Sequence, residues 1–356
     1  MTDAVRGQLV GSDARPLLSV DDLEVRFSTP DGTVHAVNGV SFDIQRGETL
    51  GIVGESGSGK SVSVRAVMGL VRPPGKVTAG SVVFDGNDMR SLSQRQLRKF
   101  RGRRIALVPQ DPMTSFNPVV PIGAQITEMI RLHDPDCSKE QARARGIALL
   151  ESVGVPSPER RFDEYPHQYS GGMRQRAMIA MAVANSPDLL IADEPTTALD
   201  VTIQAQVLEV LQDTLRETDS AMILITHDLG VIAELADRVV VMYAGKVVEY
   251  SDVRTIFHNP RHPYTVGLLS GLPRVELQGQ KLTAIPGNPP SALQVLPGCS
   301  FEPRCSIGNG DPVCRGEEPP LAVIGEGHGS ACHYHDQVPE LVERVLIPAV
   351  KGSRDE

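Results

Sequence analysis

A glycine-rich segment early in the chain has the residues and the spacing of a phosphate-binding loop. Residues 54–61 read Gly-Glu-Ser-Gly-Ser-Gly-Lys-Ser and fit the pattern G-x-x-x-x-G-K-[ST]. Such glycines let the backbone wrap around phosphates with its N–H groups pointing inward, and the helix that follows adds its positive end. Lys60 would reach the outer phosphates, Ser61 would bind Mg²⁺, and the backbone cradle would come from Gly54, Ser56, Gly57, Ser58 and Gly59. The apolar run 49–53 before this loop favours nucleotide binding over a chance glycine turn.

Two acidic residues with catalytic potential follow another apolar run. Residues 189–192 read Leu-Leu-Ile-Ala, and Asp193 and Glu194 come directly after them. Asp193 can hold Mg²⁺ through water, and Glu194 can polarise a water molecule that attacks a phosphate. Two acids at the end of a strand would by themselves more often form a solvated turn. Together with the glycine-rich loop, they predict hydrolysis of the bound nucleotide.

A third segment combines a serine with two glycines at the start of a helical pattern. Residues 169–176 read Tyr-Ser-Gly-Gly-Met-Arg-Gln-Arg. Ser170 is placed as a helix N-cap, and the N–H groups of Gly171 and Gly172 beside it would form a second anion site. An ordinary capped helix start is the alternative when this segment is taken alone.

The cysteines are concentrated near the C-terminus. Four of the five, Cys299, Cys305, Cys314 and Cys332, fall within the last 58 residues, and Cys137 lies far from them. In a reducing compartment such clustering favours a metal site over disulfides. Four thiolates can bind either zinc or a cubane iron–sulfur cluster, and their spacing does not choose between the two. Four unconnected buried thiols are the remaining alternative.

The elements that must position these residues belong to an α/β pattern. Short apolar strand candidates alternate with helical patterns from residue 16 to about 250, which predicts a sheet that is at least partly parallel. Polar residues follow at once after the clearest strand candidates, 49–53, 105–108, 189–192 and 222–225. Ligands of open α/β sheets bind outside the carboxyl ends of strands. The candidate site residues are therefore where such a fold would place a ligand.

Helical signals replace strand signals between residues 112 and about 185, which predicts an inserted helical subdomain. It contains a capping-box pattern at Ser138 and Gln141. A further amphipathic helix is predicted over 202–216, and a hairpin is predicted from the runs 239–243 and 246–250.

The remaining segments differ in amino-acid composition. Residues 1–15 are polar and predict a mobile tail, and residues 336–356 are assigned to a second tail. Residues 251–335 contain 11 Pro and 11 Gly in 85 positions, which predicts a loop-rich extension with little regular core. A metal clip would offset the entropy cost of ordering such a segment.

Composition excludes several classes of function. The chain has 356 residues, and 35 basic against 44 acidic residues give a net charge of −9, which argues against a broad basic surface for nucleic acid. Proline and polar residues interrupt the long uncharged stretches, so none predicts a membrane-spanning helix. The N-terminus lacks the apolar core of a secretory signal. We therefore expect a cytosolic protein.

The order of the motifs resembles that of the ATP-binding subunits of ABC transporters. The glycine-rich loop, Gln110 after a strand, the Ser-Gly-Gly segment, the acid pair, Ala198-Leu199-Asp200 and His227 after another strand occur in the family order. The resemblance covers about residues 16–250. It implies a P-loop NTPase of the ABC ATPase type, an α/β fold with an inserted helical subdomain, that binds ATP and Mg²⁺.

This resemblance also implies roles for individual residues near the phosphates. Glu194 would be the general base of hydrolysis. Gln110 would sense Mg²⁺ and the attacking water while it contacts the membrane subunit. His227 would hold the γ-phosphate and the geometry of Glu194.

Further implied roles concern a dimer of such subunits. Ser170 and Gly172 would contact the γ-phosphate that a partner's loop binds, and Asp200 would lie at the dimer interface. Phe27 resembles the aromatic residue that stacks on adenine. Met173 stands where the family more often has Gln, which places one polar contact to the partner nucleotide in doubt.

The C-terminal part of the chain resembles the carboxyl extension of ATPase subunits from bacterial oligopeptide and dipeptide importers. The resemblance rests on His262-Pro263-Tyr264-Thr265, then Leu268-Leu269, a proline-rich stretch and the four cysteines. It implies ATP hydrolysis that powers peptide import, and a [4Fe-4S] cluster on the cysteines with zinc as the alternative. The implied partners are a second ABC ATPase subunit, more often a paralogue, two membrane permease subunits and an extracellular peptide-binding protein.

The same resemblance implies a peripheral location at the cytoplasmic face of the cell membrane. The competing hypothesis is a soluble ABC ATPase that acts on nucleic acid or ribosomes. The net charge of −9 weighs against that hypothesis.

Overall fold

The computed structural model of the chain describes residues 15–111, 115–197, 201–272 and 285–346. In chain order, its strands are β1 (Leu18–Thr29), β2 (Gly32–Ile44), β3 (Thr49–Val53), β4 (Gly75–Phe84), β5 (Asn87–Asp88), β6 (Ile105–Val108), β7 (Leu189–Asp193), β8 (Ala221–Ile225), β9 (Arg238–Tyr243), β10 (Lys246–Asp252), β11 (Ala322–Gly325) and β12 (His328–Ser330). Its α-helices are α1 (Lys60–Val67), α2 (Gln94–Phe100), α3 (Ile122–His133), α4 (Lys139–Ser152), α5 (Pro158–Phe162), α6 (Gly171–Val183), α7 (Val201–Thr218), α8 (Leu229–Leu235), α9 (Val253–His258), α10 (Pro263–Ser270), α11 (Pro312–Gly316) and α12 (Val338–Leu346).

The chain divides into two compact units. The first unit comprises Met1–Asp43, Leu50–Asp85 and His227–Glu356. The second unit comprises Ile44–Thr49 and Gly86–Thr226. The predicted domain boundaries at residues 15, 250 and 335 do not follow this division and stay predictions.

In the first unit, β1 lies between β2 and β4, and it pairs antiparallel with β4. In the pairing of β1 with β4, Leu18 lies opposite Phe84 and Phe27 lies opposite Gly75. An irregularity in the register near Glu24 interrupts this pairing. The core-facing residues of β1 are fully or almost fully buried, and they are Leu18, Val20, Leu23 and Val25.

The other strands of the first unit are neighbours in the order β11-β12-β10-β9-β3. β3 pairs in parallel with β9, and β9 pairs antiparallel with β10. The hairpin predicted from residues 239–250 is therefore confirmed. β12 pairs antiparallel with both β10 and β11. The loop-rich extension thus contributes two strands to this arrangement, and neither strand was predicted from the sequence.

The second unit contains three parallel neighbouring strands in the order β8-β7-β6. Every residue of β7 and of β8 is buried. Strands buried on both faces read as continuous apolar runs rather than as alternating patterns. The four apolar runs that predicted buried strands are therefore confirmed as β3, β6, β7 and β8.

Helices α3 to α6 occupy most of the stretch from 122 to 183 in the second unit. The predicted capping box at the start of α4 is present: the N–H of Gln141 donates to Ser138 Oγ at 3.2 Å, and the N–H of Ser138 donates to Gln141 Oε1 at 2.9 Å. These two bonds satisfy N–H groups that have no partner within the helix. Helix α7 covers the predicted range 202–216 and buries Val207, Leu208 and Leu211.

Aromatic packing holds the extension to strand β9. The ring of Tyr243 in β9 lies 4.6 Å from the ring of Tyr264 and 5.3 Å from the ring of Phe301, measured between centroids. The rings of Tyr264 and Phe301 are 5.4 Å apart. Each buried ring removes a large apolar area from water, and tilted ring pairs add a further attraction.

A buried carboxylate in β10 makes a second attachment of the extension. Glu249 is 0% exposed, and its oxygens accept hydrogen bonds from the backbone N–H groups of Arg261 and His262. His328 Nε2 lies 2.8 Å from Glu249 Oε1. A carboxylate can remain buried only when its oxygens are hydrogen-bonded. Within the described residues, the partners of the Glu249 side chain come from the extension, which is therefore fixed along β10.

The ends of the chain differ in what the structure describes. Residues 1–14 of the predicted N-terminal tail lie outside the described residues. In the stretch assigned to a C-terminal tail, helix α12 buries Val338, Leu341, Val342 and Leu346. In the part of the chain that the structure describes, no helix has the length and apolar character that crossing a membrane requires.

Candidate active site

The glycine-rich segment forms a loop between β3 and α1 in the first unit. Gly54 has a φ of 150° and Gly59 a φ of 100°, values that residues with a side chain rarely adopt. A Cβ atom at Gly54 would lie 2.1 Å from the carbonyl oxygen of Met242, and one at Gly59 would lie 2.5 Å from that of Ala36. Only glycine at these two positions allows the path of this loop.

Lys60 is the first residue of α1 and is 5% exposed. Its ammonium group donates hydrogen bonds to the carbonyl oxygens of Gly54 at 2.7 Å and of Glu55 at 3.0 Å. The charge is therefore held inside the loop that surrounds it. Ser61 follows as the second helical residue and is half-buried.

The remaining loop residues leave room and donors for an anion. A Cβ atom at Gly57 would meet nothing within 4 Å, and Ser56 beside it is exposed. Ser58 Oγ is buried and has no hydrogen-bond partner among the described residues. A cation, backbone N–H groups at a helix start and a hydroxyl are the donors that a phosphate chain requires. The residues present therefore fit the phosphates of ATP.

The acid pair lies at the carboxyl end of β7 in the second unit. Asp193 is the last residue of this strand and is 1% exposed. Glu194 has a φ of 51°, in the left-handed region that a residue with a side chain seldom occupies. Its N–H donates to the carbonyl oxygen of Ile225 in β8 at 2.9 Å. Strained backbone of this kind clusters at functional sites.

Two side chains donate hydrogen bonds to the carboxylate of Glu194. Gln110 Nε2 donates to Glu194 Oε2 at 2.9 Å, and Thr197 Oγ1 donates to the same oxygen at 2.8 Å. Gln110 comes two residues after β6, which pairs in parallel with β7, so the carboxyl ends of these strands meet. The structure thus brings together two residues that the sequence predicted separately.

Thr197 was not predicted from the sequence. The N–H of Thr197 donates to the carbonyl oxygen of Glu194 at 3.2 Å, which closes a tight turn. The sequence signal that could have identified Thr197 is its position, because it carries a hydroxyl three residues after Glu194, the candidate general base.

Ser170 is the N-cap of α6, as predicted, and its Oγ accepts a hydrogen bond from the N–H of Met173 at 3.2 Å. Ser170 and Gly171 are exposed. A Cβ atom at Gly172 would lie 2.6 Å from Ile203 Cγ2, so this glycine permits close packing against α7. The exposed start of a long helix favours an anion, but what it binds stays a prediction.

Three further predicted residues are placed as follows. Phe27 is half-buried in β1, and its ring lies directly over Gly75, where a Cβ atom would come within 2.5 Å of the ring. His227 is exposed and follows β8 by two residues. Asp200, with Ala198 and Leu199, lies outside the described residues.

The predicted iron–sulfur site is wrong. Cys299, Cys305, Cys314 and Cys332 line one small cavity. Within the four described ranges, however, no three or more His, Cys, Asp or Glu side chains form a group that could hold a metal ion. The [4Fe-4S] cluster and the zinc alternative are therefore both withdrawn.

Two physical reasons account for this correction. The first is the arrangement of the thiols in space, since the described residues contain no group that could hold a metal ion. The second is that the extension does not need a metal clip. The aromatic rings and the hydrogen bonds to Glu249 already attach this segment to β9 and β10.

Two residues of the extension contact the phosphate-binding loop and were not predicted to have a role there. Arg304 forms a two-point ion pair with Glu55, with Nη1–Oε2 and Nη2–Oε1 distances of 2.7 and 2.9 Å. The N–H of Glu55 donates to the hydroxyl oxygen of Tyr264 at 2.8 Å. No local pattern could have revealed contacts between residues so far apart in the chain.

Two family models match the chain. The model described as ABC transporter matches residues 37–197. The model described as the C-terminal region of oligopeptide/dipeptide transporters matches residues 248–311.

Curated relatives match over most of their length. The oligopeptide transport ATP-binding protein OppD of Bacillus subtilis is 51% identical over 314 residues, which are 88% of this chain and 87% of the relative. The dipeptide transport ATP-binding protein DppD of Escherichia coli is 49% identical over 318 residues, which are 89% of this chain and 96% of the relative.

A solved structure is similar as well. The dimeric post-hydrolysis structure of the ATP-binding cassette MJ0796, bound to ADP and Pi, aligns with a TM-score of 0.61 and 26% identity. The alignment covers 67% of this chain and 99% of that chain.

Proposed function

The chain belongs to the ATP-binding proteins of oligopeptide and dipeptide ABC transporters, and we propose that it hydrolyses ATP to power the import of peptides. The ABC ATPase fold predicted from the order of the motifs is confirmed. The observation that carries the proposal is the loop in which glycines at two left-handed positions surround the buried Lys60 ammonium. This arrangement is built to bind a phosphate chain.

The residues of the loop bind the nucleotide in this proposal. Lys60 exchanges its two carbonyl acceptors for oxygens of the outer phosphates, and the N–H groups from Gly54 to Gly59 bind the phosphates between them. Ser61, Asp193 and Gln110 would hold Mg²⁺, whose charge offsets that of the phosphates. Phe27 would stack on the adenine ring.

Hydrolysis is assigned to Glu194. Its carboxylate would orient the attacking water and accept its proton, and the hydrogen bonds from Gln110 and Thr197 fix the carboxylate for that task. His227 would bind the γ-phosphate and stabilise the charge that develops on it.

Two ATPase subunits would act together, each completing the other's site. The exposed helix start at Ser170, with Gly171 and Gly172, would contact the γ-phosphate that the partner's loop binds. Asp200 would lie at the same interface. The pair of subunits would close on ATP and reopen after hydrolysis. This cycle can perform mechanical work because the closed and the open pair bind ATP with unequal affinity.

The names of the relatives, which are ATP-binding proteins of peptide transport, support partners of the kind that a peptide transporter requires. In this proposal the second ATPase subunit would be a paralogue, and the pair would contact two membrane permease subunits that receive peptides from an extracellular binding protein. This chain would therefore lie peripherally at the cytoplasmic face of the membrane.

Reconstitution of the transporter tests this function. The chain, its ATPase partner and the two permeases are placed in proteoliposomes with the binding protein, and uptake of labelled peptide is measured. We expect uptake that requires ATP and Mg²⁺ and that is lost in the Lys60→Ala variant, which lacks the cation in the loop. The absence of uptake, together with retention of the chain on nucleic acid at moderate salt, would contradict the proposal.

A further inference from the structure

The phosphate-binding loop carries a carboxylate of its own at Glu55. This side chain is 26% exposed and sits between Gly54 and Ser56, next to the N–H groups that face an anion. An unpaired carboxylate at this position would repel the phosphates of a nucleotide, because like charges a few ångströms apart at a protein surface interact strongly. Something must therefore hold and neutralise this group.

Arg304 of the extension is the side chain that pairs with Glu55. Both of its terminal nitrogens contact the carboxylate, at 2.7 and 2.9 Å, in the two-point geometry that is specific to arginine. Arg304 is 5% exposed, and it also donates to the hydroxyl of Tyr243 at 3.2 Å and to the carbonyl oxygen of Pro286 at 2.8 Å. The hydrogen bonds to Glu55 raise the pKa of Arg304 above its ordinary value, so the guanidinium remains charged.

The backbone of Glu55 is held as well. Its N–H donates to the hydroxyl of Tyr264, which is fully buried, and its carbonyl oxygen accepts a hydrogen bond from Lys60. The N–H, the carbonyl and the carboxylate of Glu55 are therefore each bonded. Two of these three groups are bonded by residues of the extension, which lie 209 and 249 positions further along the chain.

We infer that Arg304 is a positioning residue for ATP binding, which neutralises Glu55 and holds its carboxylate away from the phosphates. The extension thereby shapes the nucleotide site of its own chain. This inference rests on the proposed function, because it assigns the loop to ATP.

The test measures nucleotide affinity in the full chain. Equilibrium dialysis with radiolabelled ATP or ADP and Mg²⁺ gives the dissociation constants of the wild type and of Arg304→Gln. We expect the variant to bind ATP about tenfold more weakly, which is about 1.4 kcal/mol. The loss should be smaller for ADP, which has less negative charge, and it should shrink at high salt because ions screen the repulsion.

A second substitution distinguishes neutralisation of Glu55 by Arg304 from a purely structural role of Arg304. In the double variant Glu55→Gln with Arg304→Gln, the carboxylate is gone, so most of the lost ATP affinity should return. A double variant that binds ATP as weakly as Arg304→Gln would overturn the inference, since Arg304 would then only support the fold. Equal losses for ATP and ADP would overturn it as well.

Two further variants serve as controls. Arg315 is another arginine of the extension, paired with Glu302 at 3.0 Å, and Arg315→Gln should bind ATP like the wild type.

If circular dichroism shows that Arg304→Gln is unfolded, Arg304→Lys replaces it. That variant keeps the charge but loses the two-point geometry, so we expect a smaller loss that is still greater for ATP than for ADP, and equal losses would again refute the inference. If the wild type itself binds no ATP, the proposed function fails rather than the role of Arg304.

Discussion

Gln110 and Glu194 are 84 residues apart in the sequence and share a direct hydrogen bond of 2.9 Å at the carboxyl ends of two neighbouring parallel strands. The amide of Gln110 therefore helps to orient the carboxylate that we assign as the general base. Thr197 donates to the same oxygen. The base is thus held by one residue of the next strand and by one residue of its own turn.

Replacement of Glu194 by Gln should abolish hydrolysis and preserve ATP binding. The amide keeps the shape of the side chain but cannot accept the proton of water, so the rate should fall by ~10² to 10⁴. The measurement is phosphate release by the assembled transporter, with ATP binding to the same variant as the control. A rate within about twofold of the wild type, too small a change for a lost base, would refute the role of Glu194.

Thr197→Val should slow hydrolysis without weakening ATP binding. The variant keeps the branched shape but loses the hydrogen bond to Glu194 Oε2, and a hydrogen bond to a charged group contributes about 1.5 kcal/mol, or about tenfold in rate. Thr197→Ser retains the hydroxyl and should recover most of the rate. Steady-state kinetics measure kcat and KM separately, and we expect kcat to fall. An increase in KM alone would contradict the role of Thr197 in orienting Glu194.

Ser170→Arg should prevent hydrolysis by the paired subunits and leave ATP binding to the isolated chain intact. A bulky cation would fill the helix start that we assign to the partner's γ-phosphate. Ser138→Arg is the matched control, because Ser138 is also an exposed N-cap that bonds the third N–H of its helix. Loss of ATP binding by isolated Ser170→Arg would show that Ser170 belongs to the site of its own chain.

Stability should fall as the pH decreases below 6.5 because of His262. Burial lowers the pKa of His262 to about 3 from an ordinary value of 6.5, its Nδ1 accepts from the N–H of Tyr264, and the ring of Phe301 faces it. The unfolded chain therefore binds a proton below pH 6.5 that the folded chain does not bind until about pH 3. The stability present above pH 6.5 decreases by roughly 1 to 2 kcal/mol on going to pH 5.

Chemical denaturation at a series of pH values measures this effect. The variant His262→Asn can still accept a hydrogen bond from Tyr264 but does not titrate in this range. Its stability should therefore depend less on pH than that of the wild type, and an unchanged slope between pH 6.5 and pH 5 would contradict the assignment to His262.

The sequence predicted the strands and the phosphate-binding loop because their causes are local. The apolar run 189–192 can only be buried on both faces, and Gly54 and Gly59 stand where the backbone turns through left-handed conformations. Ser138 and Ser170 were predicted as N-caps because a cap depends on residues within one helical turn.

The parts that sequence reasoning missed depend on contacts between distant segments. The pairing of Arg304 with Glu55 and the addition of β12 to β10 join residues that have no local pattern in common. The cysteines led to the opposite error, a predicted site that the structure does not show, because their clustering in the sequence indicated a metal site. Whether thiols can hold an ion depends on their arrangement in space, and the described part of the chain contains no suitable group.

The strand β12 has a consequence for any shortened form of the chain. If the polypeptide ended after Asp252, one side of β10 would present unpaired N–H and C=O groups to solvent. Such an edge recruits strands from other molecules and is a common origin of aggregation. Glu249 would at the same time lose Arg261, His262 and His328, its partners in the described structure. We therefore expect that removal of this segment yields aggregated protein rather than a minimal soluble enzyme.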